Sequence, residues 1–193
     1  NAITNACTFK ISAVNANDFL ASLDKVVELI KLEYADREKN MQISITKGEE
    51  NEFDVMTDDF KTKLITALCC TPNGVLEMSA SIDGLVETSL NLGILNTNDK
   101  VLTIHYGLRS NKQVALESLS DKMATFYDML DFSHETFGHY PPWEYRADSA
   151  VRELYKETYI EQFDKEPRVE ALHAGLECGV FASQIEDFDC IAI

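Results

Sequence analysis

The residues of this chain whose types and spacing can do chemistry are four histidines, one arginine and one glycine-flanked turn. The histidines are His105, His134, His139 and His173. Imidazoles hold metals or move protons near neutral pH. A helical metal motif needs two of them at i and i+4, and no pair here has that spacing, nor does HExxH occur. His134 and His139 stand five apart in a segment that reads as a strand, so they point to opposite faces. Taken alone, each histidine reads as a surface or packed residue. Arg109 closes the apolar run 100–109, and His105 and Gly107 share its face by period two. A guanidinium at a strand end presents a planar fork suited to a carboxylate. A surface ion pair with one of the many acids is the plainer account. The turn His173-Ala174-Gly175-Leu176-Glu177-Cys178-Gly179 can offer backbone N–H groups to an anion, or can simply join a strand to a helix. Glu177 is one carboxylate among 33 acids, which is no signal of a general base. No GxSxG, P-loop or GxGxxG is present.

The elements that must position these residues follow from periodicity. Residues 7–14 and 41–46 alternate and read as strands. Between them Phe19, Leu23, Val26, Val27, Ile30 and Tyr34 recur at three and four, a helical stripe with Asn15 or Asn17 as its cap. Thr57 caps a second helix carrying Phe60, Leu64, Ile65 and Leu68, which Pro72-Asn73-Gly74 ends. Residues 84–95 and 100–109 flank the polar stretch Asn96–Asp99 and give the strongest hairpin signal of the chain. Residues 112–131 form an amphipathic helix with Leu116, Leu119, Met123, Phe126, Tyr127 and Leu130 on one side, followed by a short strand near 134–139. Beyond Pro141-Pro142, Asp148 or Ser149 caps a helix through Phe163. Residues 168–172 and Cys190–Ile193 read as strands. The expected class is α+β, or mixed α/β: helices packed on a mainly antiparallel sheet over 1–139, then half of an α/β unit over 140–193.

Composition narrows the function. A net charge of −16, from 33 acids against 17 bases, argues against a nucleic-acid partner, which needs a basic footprint. No apolar run approaches the roughly 18 residues of a membrane helix. The opening Asn1-Ala2-Ile3-Thr4 shows no basic region followed by an apolar stretch, so no signal peptide is expected. The five cysteines include one adjacent pair and no CxxC, which fits neither a disulfide framework nor a zinc site and suits a reducing cytoplasm.

Longer words carry more. Thr71-Pro72-Asn73-Gly74-Val75 followed by Gly84-Leu85-Val86-Glu87-Thr88-Ser89-Leu90-Asn91-Leu92-Gly93 resembles the "TPNGV…GVVETSLNVG" segment of aminoacyl-histidine dipeptidases, metallopeptidases of family M20. Ile104-His105-Tyr106-Gly107-Leu108-Arg109-Ser110 resembles their "IHxxxRS" strand, and 173–179, HAGLECG, is their most distinctive word. Tyr140-Pro141-Pro142-Trp143 resembles "YPGW" with proline for glycine, and Asn1-Ala2-Ile3 resembles the start of "NAIPREA" with Thr4 for proline. The order and spacing hold across essentially the whole chain.

The resemblance implies a catalytic α/β domain holding two zinc ions, with a lid domain inserted into it, and cleavage of Xaa-His dipeptides. Two such ions polarise the scissile carbonyl and activate water beside a glutamate base. The family's ligand and base motifs match nothing in this chain, so it is expected to carry no metal ligand or catalytic residue and to be inactive alone. The terminal apolar run 190–193 fits a piece cut out of a longer enzyme. On this resemblance residues 1–139 are the lid and 140–193 the returning segment of the catalytic domain. Arg109 matches the lid arginine that grips the dipeptide carboxylate, and Asn1 a lid asparagine near the substrate. His173, Gly175 and Gly179 belong to the loop that approaches the substrate from the catalytic side. Lids of this group commonly pair, so a homodimer is expected as well as a dipeptide ligand. Two alternatives stand beside this reading: a non-catalytic binding or dimerisation module with the lid architecture, and an M20 peptidase of other preference, such as a tripeptidase.

Overall fold

A computed structural model describes residues 3–48, 54–98, 100–173 and 176–193. Among them five helices and three strands form. The chain divides into two compact units, Ala6–Phe60 and Asn1–Asn5 with Lys61–Ile193.

The smaller unit is built on α1 (Ala16–Tyr34). Asn15 caps it, its side-chain oxygen accepting from Asp18 N at 3.3 Å, which satisfies one of the orphan donors of the first turn. Val27 is the buried residue of its stripe. The strands expected at 7–14 and 41–46 do not form. Alternation decides which face a strand would bury, but a strand exists only where its N–H and C=O groups find a ladder.

α2 (Asp58–Cys70), whose residues from Lys61 onward belong to the larger unit, starts at Thr57, whose hydroxyl accepts from Phe60 N at 3.2 Å. Three strands follow: β1 (Gly74–Met78), β2 (Val86–Asn98) and β3 (Val101–Ser110). They form one antiparallel sheet in the order β1-β2-β3. β1 lies where a stop signal alone is legible in the sequence; Gly74 there takes φ 101°, a left-handed conformation that suits glycine. The hairpin is longer than its polar stretch suggests. β2 runs to Asn98 and β3 restarts at Val101, so Asn96 and Thr97 belong to the ladder. Lys100 takes φ 69°, the positive φ that tight hairpin turns need.

Between Leu92 and Ile94 the register slips by one residue at Gly93. This bulge is tied down twice. Leu92 N donates to Asn73 Oδ1 at 2.8 Å, and Thr4 Oγ1 lies 2.9 Å from Leu92 O and 2.8 Å from Gly93 O. A proline at position 4 has no side-chain donor for that contact.

α3 (Gln113–Met129) packs on β3. Leu90 and Ala67 are wholly buried at the centre, with Leu64, Leu85, Leu119 and Tyr127 around them. Tyr127 Oη donates to Tyr106 Oη at 2.8 Å and lies 3.0 Å from Thr71 Oγ1. Burial, then the Tyr127 bond, hold the Tyr106 phenol well above the usual tyrosine range. α3 ends at Leu130, and Asp131 turns left-handed at φ 57° and pairs with Lys63 Nζ at 2.8 Å.

After α3 come α4 (Ala150–Phe163) and α5 (Glu177–Gln184). Buried Ser149 caps α4 by accepting from Arg152 N at 3.1 Å, and Asp189 Oδ2 accepts from Val151 N at 3.1 Å. The strands expected near 134–139, 168–172 and 190–193 are irregular instead, again because no ladder partner meets them.

Candidate functional site

Antiparallel pairing places Ser89 of β2 opposite Arg109 of β3. Opposed residues in such a pair share a face, so the serine hydroxyl and the guanidinium rise from the same side of the sheet. The next pair, Thr88 and Ser110, turns to the other side, where the two hydroxyls meet at 3.1 Å in a buried contact. Asn111 follows β3 directly. Its backbone N–H donates to Glu87 O at 3.0 Å, and its side-chain Nδ2 donates to Val86 O at 3.2 Å. Both bonds tie the residue back onto β2.

His173 reaches this cluster from 84 residues away in sequence: its Nε2 lies 2.7 Å from Ser89 Oγ. Its Nδ1 lies 3.4 Å from Asn111 Oδ1. Burial, and secondly the positive charge of Arg109, depress the imidazole pKa below its usual 6.5. Two segments far apart in the chain thus converge on one polar cluster, Ser89, Arg109, Asn111 and His173, with Arg109 exposed to solvent and His173 half-buried. Beside it, buried Glu87 pairs with Lys112 Nζ at 2.8 Å, and that bond raises the lysine pKa.

Of the residues singled out from sequence, Arg109 and His173 come together. Gly179 sits elsewhere, in the first turn of α5, and is buried. A Cβ there would stand 2.7 Å from Pro141 O and 3.3 Å from both Pro142 O and Trp143 Cβ. The glycine lets α5 lie against the Tyr140–Trp143 segment, so two words of the sequence meet as packing. Asn1 and Gly175 lie outside the described residues. Ser89 and Asn111 carry no role in the sequence reading, although Ser89 lies inside the quoted run 84–93 and Asn111 directly after Ser110. The signal that finds Ser89 is its place opposite Arg109, and that requires the register.

The remaining histidines are dispersed. His105 meets the Phe137 ring edge-on at 6.0 Å, and His134 Nδ1 lies 3.3 Å from Asp128 Oδ1. Among the described residues no group of three or more His, Cys, Asp or Glu side chains could hold a metal ion. The donor set of the described residues therefore does not fit a two-zinc centre. A cavity of about 990 Å³ opens next to the cluster, with Asn111, Trp143, Tyr155, Leu172 and Phe188 on its wall.

No protein-family model matches the chain. In an alignment 186 residues long that covers 94% of this chain, it is 34% identical to the cytosol non-specific dipeptidase of Escherichia coli (strain K12). It spans 37% of that protein. It also superposes on the crystal structure of aminoacylhistidine dipeptidase from Vibrio alginolyticus, with a TM-score of 0.75 and 31% identity, over 86% of this chain and 34% of that one.

Proposed function

We propose, from the premise that this chain belongs over its matched length to the M20 dipeptidase family, that it is the substrate-holding part of a dipeptide hydrolase. The observation that carries the reading is the convergence of His173 and Ser89, at 2.7 Å, on the strand pair that presents Arg109. Arg109 receives the terminal carboxylate of a dipeptide of the Xaa-His type through paired charged hydrogen bonds, which are shorter and stronger than neutral ones. Lysine presents a point charge and cannot reproduce the fork.

In this reading residues 1–139 form a lid, and 140–193 belong to the catalytic domain that the lid covers. The metal centre, two zinc ions, is supplied by parts of the polypeptide outside the 193 residues, and the chain by itself is inactive. Asn1, Gly175 and Gly179 keep the supporting places that the resemblance gives them, Gly179 by letting the loop pack. The enzyme works in the cytoplasm and pairs with a second copy through the lid. No helix among the described residues is long and apolar enough to cross a membrane.

The decisive experiment compares a dipeptide with its C-terminal amide as ligands of the 193-residue chain by NMR titration. The carboxylate form is expected to perturb the Arg109 and His173 signals and the amide to leave them in place, with Arg109→Ala abolishing the response. Equal responses to both ligands would sink the carboxylate reading. Hydrolysis of either by the chain with added zinc would sink the assignment of the chemistry to other parts of the protein. Light scattering after size exclusion tests the dimer.

A further inference from the structure

The four-residue cluster contains more than a carboxylate anchor. Asn111 is held by two bonds to β2, and one of them fixes which way its amide faces. Val86 O is a carbonyl and can only accept, so the amide atom 3.2 Å from it is the NH2 group. The other amide atom, the acceptor Oδ1, therefore faces His173 Nδ1 at 3.4 Å. An acceptor opposite a ring nitrogen demands a proton on that nitrogen. The second ring nitrogen, Nε2, then carries a lone pair and accepts from the Ser89 hydroxyl at 2.7 Å. Ser89 is itself fixed by the β2–β3 ladder, opposite Arg109.

We propose that Ser89 and Asn111 are positioning residues that hold His173 as a neutral ring, protonated at Nδ1, beside Arg109. Burial and the neighbouring guanidinium, which both disfavour the imidazolium, act in the same direction. The arrangement has a specificity consequence, which rests on the carboxylate reading of Arg109. A neutral ring adds no second positive charge beside the guanidinium. What it offers a ligand, once the Ser89 hydroxyl turns aside, is an acceptor. The site then reads two features at once: a carboxylate at Arg109 and a hydrogen-bond donor, N–H or O–H, at His173.

Ring nitrogens report their protonation directly, so the test uses the full chain labelled with 15N and long-range proton–nitrogen correlation at pH 7.5. His173 is expected to show a protonated Nδ1 and an unprotonated Nε2. Asn111→Leu removes the acceptor and is expected to give shifts averaged between the two tautomers. Ser89→Ala is expected to move Nε2 toward the shift of a nitrogen with no donor, and Ser89→Thr to restore it. A wild-type ring that is averaged, or protonated at Nε2, overturns the proposal, as does a pattern that Asn111→Leu leaves unchanged. Should Asn111→Leu fail to fold, Asn111→Asp keeps the shape and places a carboxylate on Nδ1–H. That raises the His173 midpoint by about 1 pH unit, and an unmoved midpoint again overturns the proposal. A dipeptide titration in the same samples separates the two readings. A fixed tautomer with no dipeptide response at Arg109 leaves this proposal standing and defeats the carboxylate reading.

Discussion

The hairpin with α3 and the segment from Pro141 to Ile193 use similar residues to very different effect. In the first, β2 and β3 are paired at ten positions, and Leu90 of β2 is wholly buried. In the second, α4 carries an aromatic row in which the rings of Tyr155, Tyr159 and Phe163 stand tilted at successive centroid distances of 5.9 and 4.7 Å, yet none of its residues is buried. Leu154 is 65% exposed. A periodic apolar stripe states which face a helix would bury, and a neighbouring surface decides whether it does. What ties the second region together is a few specific contacts: the Ser149 cap, Asp189 on Val151 N, and the close approach at Gly179.

The sharpest way to break this comparison is to cut the same side chain in both regions. Leu90→Ala is expected to cost about 2–5 kcal/mol, for lost transfer and a cavity, and Leu154→Ala to stay within about 0.5 kcal/mol. Urea denaturation of the two variants measures both, and equal costs would erase the distinction. Next in size, Gly179→Ala forces a Cβ against backbone and is expected to cost about 1–3 kcal/mol. Because that strain lies in the second region, hydrogen exchange should show loosening confined to α5 and residues 140–143. A uniform loss of protection would mean that the two regions unfold as one. Tyr127→Phe removes the hydroxyl between Thr71 and Tyr106 and is expected to cost about 1 kcal/mol, read from the denaturation midpoint.

The smallest effect is a pH dependence that links the regions. His173 titrates below 6.5 in the folded chain. The unfolded chain therefore binds more protons around that pH, and stability must fall as pH drops from 6.5 through the folded value. That component should be missing from His173→Gln and therefore appear as the difference between wild type and variant, measured by thermal unfolding between pH 5 and pH 8. An identical slope in both would remove His173 from the account.

How much of this was legible beforehand differs from element to element. α1, α2, α3 and α4 were readable, because 3.6-residue periodicity with Asn15, Thr57 and Ser149 as caps is local information. The five strands that failed at 7–14, 41–46, 134–139, 168–172 and 190–193 were read from alternation or apolar residue type, and neither says anything about a partner. At the site, Arg109 and the HAGLECG turn were visible as words. Ser89 and Asn111 were not, for a geometric reason. A turn at Asn96–Asp99 would pair Leu95 with Lys100, and so Val86 with Arg109. The observed tighter turn and the bulge at Gly93 bring Ser89 there instead. Nothing in the composition of the hairpin announces either shift.

That bulge sets a rule for how the hairpin can change length. Opposed residues share a face, and successive residues alternate. One residue gained or lost between Ser89 and the turn, with pairing kept from the turn outward, would put a core residue such as Leu90 opposite Arg109 and drive Ser89 into the interior. Two residues would preserve the faces and change only which polar side chain meets the guanidinium. Length variation in this hairpin is therefore governed by parity: odd changes exchange core for the face that carries Arg109, and even changes rewrite the neighbour of Arg109 while leaving the core intact.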